Sequence, residues 1–120
     1  LYLNVVSGNV AIPTATLQML VDGQTVQDAG FGNGPVDATI AAIRKITGTN
    51  YDLVRYAVTA ITGGTDALGE VTVQLKFDGK TVTGRGAHPD VIVASATAYI
   101  NALNRLEWMK GDRKKIQVEE

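Results

Sequence analysis

The sequence has no cysteine. That absence removes disulfides, zinc–thiolate sites and thiol nucleophiles together and fits a reducing compartment, so the cytoplasm is the expected location. Histidine is nearly absent as well: His88 stands alone, and no metal triad can be assembled from histidines. Neither sign of charge is in excess, since 11 Lys and Arg stand against 12 Asp and Glu for a net charge of −1. A chain charged in this way offers no footprint for nucleic acid or for an anionic membrane. No apolar run approaches the roughly 18 to 20 residues of a membrane span, and the opening Leu1-Tyr2-Leu3-Asn4 has no signal-peptide pattern. Without an initiator methionine the sequence reads as a fragment. What is present is 120 residues, 45% of them apolar, which is enough for one compact domain with a usable core.

The chain repeats itself. An offset of 56 pairs Gly8 with Gly64, Ala11 with Ala67, Gln18 with Gln74, Asp22 with Asp78, Gly23 with Gly79, Thr25 with Thr81, Val26 with Val82 and Gly30 with Gly86. Beyond that point Asp37 matches Asp90 and Ala41 matches Ala94 only if the first copy carries three extra residues around Gly32-Asn33-Gly34.

Within each copy the apolar period changes from two to about 3.6, the mark of strands followed by a helix. Val71, Val73, Leu75 and Phe77 alternate with polar residues, as do Ala15, Leu17, Met19 and Val21, and Asp22-Gly23 and Asp78-Gly79 read as two-residue hairpin turns. Residues 51–61 are β-rich up to Gly63-Gly64, and residues 1–6 are their counterpart. Pro35 suits a first helical turn, with Val36, Ile40, Ile43 and Ile46 on one face and Gly48 as cap; Pro89 marks the second start, Ile92, Ala96, Tyr99, Leu103 and Leu106 form a stripe, and Gly111 ends it. The expectation is an α+β domain over residues 1–110 built from two pseudo-symmetric strand-strand-strand-helix units, residues 1–50 and 51–110, whose sheets are covered by helices on one face. Leu20, on the nominally polar face of its strand, points to burial of the second face against the other unit or a second subunit. Residues 111–120, with Arg113, Lys114, Lys115, Glu119 and Glu120, lose periodicity and read as a mobile tail.

Catalytic chemistry has little to draw on. His88-Pro89-Asp90 offers an acid/base pair, but a histidine ahead of a helix-starting proline is more often a capping or surface residue. Asp37 and Asp90 in first helical turns are already explained by the macrodipole, worth about 0.3 to 1 kcal/mol each. Residues 30–35, Gly-Phe-Gly-Asn-Gly-Pro, resemble a phosphate loop superficially, yet no Lys-Ser/Thr follows. Such a loop is first of all a tight turn that needs glycine, with a seat for a small anion, for example the carboxylate of a free amino acid, as the alternative. Ala60, Gly63, Gly64 and Ala67 leave room beside Leu53 and Tyr56 for a pocket, or simply for close packing.

Three separated motifs carry a family likeness: Gly32-Asn33-Gly34-Pro35-Val36-Asp37-Ala38; the run from Tyr56-Ala57-Val58-Thr59-Ala60 to Thr65-Asp66-Ala67; and Gly84-Arg85-Gly86 followed by Asp90-Val91-Ile92-Val93-Ala94-Ser95. Together they resemble the C-terminal regulatory domain of 2-isopropylmalate synthases. The resemblance implies a parent acyltransferase that condenses acetyl-CoA with 2-oxoisovalerate on an N-terminal, divalent-metal-dependent barrel, the first committed step of leucine biosynthesis. It implies that this domain holds no catalytic residue and no cofactor, forms a homodimer, and binds leucine as feedback inhibitor. Carried over by position, the effector site would comprise Gly32, Asn33, Gly34, Val36 and Asp37 on one wall, Leu53, Tyr56, Ala60 and Ala67 on the apolar wall, and Ala87 and Pro89 at the second unit's turn. Relatives often have a hydroxyl-containing turn where this chain has His88-Pro89. The same domain occurs in citramalate synthases, where isoleucine is the effector, and a dimerisation module without a ligand is a further alternative. A small enzyme using His88 and Asp90 is the third.

Overall fold

The computed structural model describes residues 2–6, 12–63, 66–111 and 116–117. They fall into two compact units. The first runs to Asn50 and takes in the strand at residues 116–117, and the second begins at Tyr51.

Unit 1 consists of β1 (Tyr2–Val6), β2 (Thr14–Val21), β3 (Gln24–Phe31) and α1 (Pro35–Thr47); unit 2 consists of β4 (Asp52–Gly63), β5 (Asp66–Phe77), β6 (Lys80–His88) and α2 (Val91–Met109). Each set of three strands is an antiparallel meander, β1-β2-β3 and β4-β5-β6. The two hairpins turn as the sequence indicates: Asp22 and Gly23 have φ of 51° and 79°, and Asp78 and Gly79 have 51° and 76°. These left-handed values match the right-handed twist of the flanking strands.

The period-two pattern becomes a core because one face of each sheet carries the helix. In unit 1 Ala15, Leu17, Met19 and Val21 are buried together with Ala38, Ile40, Ala42 and Ile43. In unit 2 Val71, Val73 and Leu75 are buried with Tyr99, Ile100, Leu103 and Leu106, each large side chain contributing about 1.5 to 3 kcal/mol. The helices also come close to the sheets. A Cβ on Gly84 would collide with the backbone of Ala98 and Ala102, and one on Gly86 would sit 2.5 Å from the Ala94 carbonyl; Gly30 meets Ala38 and Ala42 in the same way. Small residues therefore face small residues along the helix axis, while the large ones flank the contact. The helical stripes shift accordingly: Val36, Ile46 and Ile92, placed on the apolar faces by the sequence, are only half-buried, and Thr39, Ser95, Ala98 and Ala102 are buried in their stead.

The structure corrects the register of the repeat. Gly30 lies on Ala38 and Ala42, Gly86 lies on Ala94 and Ala98, and the helices begin at Pro35 and Val91. Thr39 Oγ1 donates to the Pro35 carbonyl at 2.8 Å, and Ser95 Oγ donates to the Val91 carbonyl at 2.7 Å. The offset of 56 thus runs unbroken through both helices, and there is no three-residue insertion at Gly32-Asn33-Gly34. Two aspartates near two helix starts suggested the insertion, but they hold different positions. Asp90 is the N-cap of α2, whereas Asp37 lies inside the first turn of α1. Pro89 likewise precedes the cap of α2 instead of opening the helix.

Gly48 ends α1 in the left-handed conformation, φ 66°, and Gly111, φ 78°, follows the last turn of α2. Within residues 111–120, Ile116–Gln117 forms β7, which pairs with β2 through Val21 and Leu20. Arg113, Lys114, Lys115, Glu119 and Glu120, like Gly8, Ala11, Gly64 and Thr65 earlier in the chain, lie outside the described residues.

Candidate functional site

The loop between β3 and α1 is held by backbone contacts. The Gly32 N–H donates to the Pro13 carbonyl at 3.1 Å, and a Cβ on Gly32 would stand 2.5 Å from the Ala38 nitrogen, so the loop is folded against the first turn of the helix. Gly34 is the N-cap in an extended conformation, its carbonyl accepting from the Ala38 N–H at 3.0 Å, and no side chain caps this helix end. Pro35 has no N–H to satisfy. The N–H groups of Val36 and Asp37 belong to those a helix cannot satisfy from within, and they stand at the positive end of its dipole. Asn33 and Asp37 are exposed beside them.

The equivalent position in unit 2 is closed. Asp90 Oδ1 accepts from the Ile92 N–H at 2.8 Å, and His88 Nδ1 accepts from the Asp90 N–H at 3.0 Å. Both side chains of the acid/base alternative are thereby engaged in building a turn and capping a helix.

Residues of β4 and β5 make a second cluster. Leu53 pairs with Leu75, Tyr56 with Val73, Val58 with Val71 and Ala60 with Gly69, so all four lie on the helix side of the sheet, and Ala67, two residues before Gly69, continues that row. α2 packs chiefly on β5 and β6, which leaves the β4 part of this face uncovered: Tyr56 is 36% exposed and Val58 51%. The Tyr56 hydroxyl lies 2.6 Å from Ser95 Oγ on α2. Ala87 pairs with Glu70 and therefore stands on the opposite face, and Pro89 is exposed in the turn after β6. Leu53, Tyr56, Ala60 and Ala67 are thus brought to one surface, Ala87 is not, and Gly32, Asn33, Gly34, Val36 and Asp37 form the loop of unit 1.

The residue reading missed Ser95 and Val58. Ser95 had a signal, because the unbroken offset sets its hydroxyl opposite that of Thr39. A third cluster was also missed. Tyr51 donates its phenol hydrogen to Glu107 Oε1 at 2.6 Å, with Glu107 only 3% exposed, and Lys110 Nζ donates to the same phenol oxygen while lying 4.0 Å from Glu107 Oε2. That ammonium also stands over the Tyr51 and Phe77 rings, 4.9 and 4.7 Å from their centroids. Burial, and then the hydrogen bond to Glu107, hold the Tyr51 phenol above its ordinary value of 10.0. A cavity of about 250 Å³ opens nearby, between Phe77, Asp78 and Lys80 on the hairpin and Leu106, Met109 and Lys110 on α2. None of the effector-site residues lines it. Among the described residues no three His, Cys, Asp or Glu side chains gather as a metal site, and no helix is long and apolar enough to cross a membrane.

Comparison with known proteins agrees with this architecture. The profile of the LeuA allosteric (dimerisation) domain matches residues 1–107. A 2-isopropylmalate synthase of Syntrophus aciditrophicus is 76% identical over 99% of the chain and 23% of its own length, and one of Nitratidesulfovibrio vulgaris is 53% identical over 86% of the chain and 20% of its own. A protein described as a candidate (R)-citramalate synthase, from Methanoculleus marisnigri, is 52% identical over 85% of the chain and 21% of its length. The chain therefore spans between a fifth and a quarter of the length of these relatives. With a matching profile over nearly its full length and two repeated strand-strand-strand-helix units, the chain belongs to the LeuA allosteric (dimerisation) domain family.

Proposed function

We propose that this chain is the effector-binding, dimer-forming regulatory part of a 2-isopropylmalate synthase of leucine biosynthesis and that its effector is leucine. The observation that carries the reading is the difference between the two helix starts. Unit 2 closes its own with Asp90, while unit 1 presents an uncapped end behind a glycine loop, which is a place for the carboxylate of an amino acid. The exposed Asp37 carboxylate beside it suits the ammonium of a zwitterion and disfavours a plain anion. Within unit 2, Leu53, Tyr56, Ala60 and Ala67 share one sheet face, an apolar surface suited to a branched side chain, whose burial is worth about 2 to 3 kcal/mol. Differential affinity for two states of the assembly would then convert binding into inhibition. Catalysis and its divalent metal belong, on this reading, to an N-terminal barrel outside the chain. The similarity to a candidate citramalate synthase keeps isoleucine as the second reading, since one methyl placement is worth only about 1 to 3 kcal/mol.

Isothermal calorimetry with leucine, isoleucine and valine tests the proposal. Leucine-selective binding that Tyr56→Ala abolishes is the expected result. Isoleucine selectivity would move the parent to citramalate synthesis, and silence with all three from a folded protein would leave a dimerisation module.

A further inference from the structure

β3 and β6 are the outer strands of their sheets, and each turns one residue's backbone outward at an equivalent place. Counting from the two-residue hairpin turns, the pairs Thr16–Ala29 and Thr72–Arg85 are of the non-hydrogen-bonded kind, so the N–H and carbonyl of Ala29 and of Arg85 point away from the neighbouring strand. In unit 1 both groups are taken. The Ala29 N–H donates to Asp28 Oδ1 at 2.8 Å, Lys45 Nζ donates to the Ala29 carbonyl at 3.4 Å, and that ammonium pairs with Asp28 Oδ1 at 3.2 Å. In unit 2 Asn101, equivalent to Lys45, donates through Nδ2 to the Arg85 carbonyl at 2.7 Å. The position of Asp28 is held by Gly84, which has no carboxylate to offer and, packed on Ala98 and Ala102, no room for one. Among the described residues the Arg85 N–H therefore has no acceptor. A cavity of about 580 Å³ opens at this place, lined by Thr83, Gly84, Arg85, Asn101 and Arg105. Its lining holds two arginines and no acid. Arg105 lies one turn beyond Asn101 on α2 and forms no ion pair among the described residues.

We propose that this cavity binds a free small carboxylate, which takes the place in unit 2 that the Asp28 carboxylate holds in unit 1. The Arg85 N–H and the second hydrogen of the Asn101 amide donate to it, and Arg105 supplies the positive charge that Lys45 supplies to Asp28. Two guanidinium groups on the lining favour a dicarboxylate over a monocarboxylate. The site shares no residue with the proposed effector site, so the two stand or fall separately.

Amide NMR of the chain, titrated with succinate at fixed pH and ionic strength, tests the proposal. The Arg85 backbone amide and the Asn101 side-chain amide should shift together and saturably. Arg105→Gln should weaken succinate about tenfold or more, the usual loss for a hydrogen bond to a charged group, and Lys45→Gln, in the other unit, should leave its affinity unchanged. Asp28→Ala removes the internal carboxylate of unit 1 and should give the Ala29 amide a response to succinate that the unsubstituted chain lacks. The proposal is overturned by the absence of a saturable shift at Arg85, by an affinity that Arg105→Gln leaves untouched, or by inorganic phosphate binding as tightly as succinate. A silent Ala29 amide in Asp28→Ala overturns it too, since the likeness of the two edges would then carry no chemistry.

Discussion

The two units share a plan and differ where the helix begins. Position 34 is glycine and position 90 is aspartate, so α1 starts without a side-chain cap and α2 starts with one. Position 32 is a glycine packed onto the helix, whereas position 88 is a histidine that accepts the N–H of the cap residue. Farther along, the equivalent hydroxyls of Thr39 and Ser95 both bond back one turn, and Ser95 also meets the Tyr56 hydroxyl at 2.6 Å. A duplicated scaffold thus keeps what packing demands in both copies and divides the polar work between them. One copy starts its helix without a side-chain cap, and the other closes the equivalent turn with Asp90 and His88.

The part that should not differ is the close helix–sheet contact, and breaking it has the largest expected effect. Gly84→Ala places a methyl group into the backbone of Ala98 and Ala102; urea denaturation should show a loss of about 3 kcal/mol or more, since overpacking against backbone cannot be relieved by a rotamer change. Gly30→Ala should cost a comparable amount, because the Ala38 and Ala42 backbone blocks it in the same manner. Unequal costs would mean that one helix rides more loosely than the other.

Unit 2 should be the more sensitive to loss of a buried polar bond. Tyr51→Phe leaves Glu107, 3% exposed, without its phenol donor, with the Lys110 ammonium 4.0 Å away; the expected loss is about 1 to 3 kcal/mol. The phenol's raised pKa sets a sign for pH. The hydrogen bond is fully present below pH 10.0 and is lost as pH rises through the higher folded-state value. Stability should therefore fall on the alkaline side, and in Tyr51→Phe that part of the slope should disappear.

Exchanging the caps sharpens the comparison further. Asp90→Ala should lower stability by about 1 kcal/mol. Gly34→Asp should raise it by a few tenths of a kcal/mol, because Gly34 is already extended and a Cβ there meets nothing within 4 Å. If α1 receives a carboxylate, the stabilised Gly34→Asp protein should bind leucine more weakly in calorimetry. Unchanged binding would place the carboxylate elsewhere.

The smallest effect belongs to the surface. Asp28 and Lys45 approach to 3.2 Å with both side chains substantially exposed. The Asp28 carboxyl is held below its ordinary value first by the Ala29 N–H and then by Lys45. Lys45→Ala should leave the unfolding midpoint nearly unchanged and remove only a weak salt dependence.

Much of this fold is legible along the chain because its causes are local. Alternation in β2 and β5, the Asp-Gly turns, Pro35 at the start of α1 and Gly48 at its end are all dictated by short-range geometry, and the offset of 56 exposes the duplication before any coordinate is known. The candidate site was legible in pieces. Glycines 32 and 34 and the residues Leu53, Tyr56, Ala60 and Ala67 stand out by type, and the last four do share a sheet face; Ala87 does not, because pairing with Glu70 turns it over.

Residue order therefore sets the strands, the turns, the repeat and the family, each of which follows from short spans or from comparison along the chain. Tertiary structure alone decided the unbroken register of the helices, the capping difference between Gly34 and Asp90, and the bonds from Tyr56 to Ser95 and from Tyr51 to Glu107. The two tyrosine bonds depend on which groups a helix brings within about 3 Å of a residue far away in sequence, a distance that period and propensity do not encode.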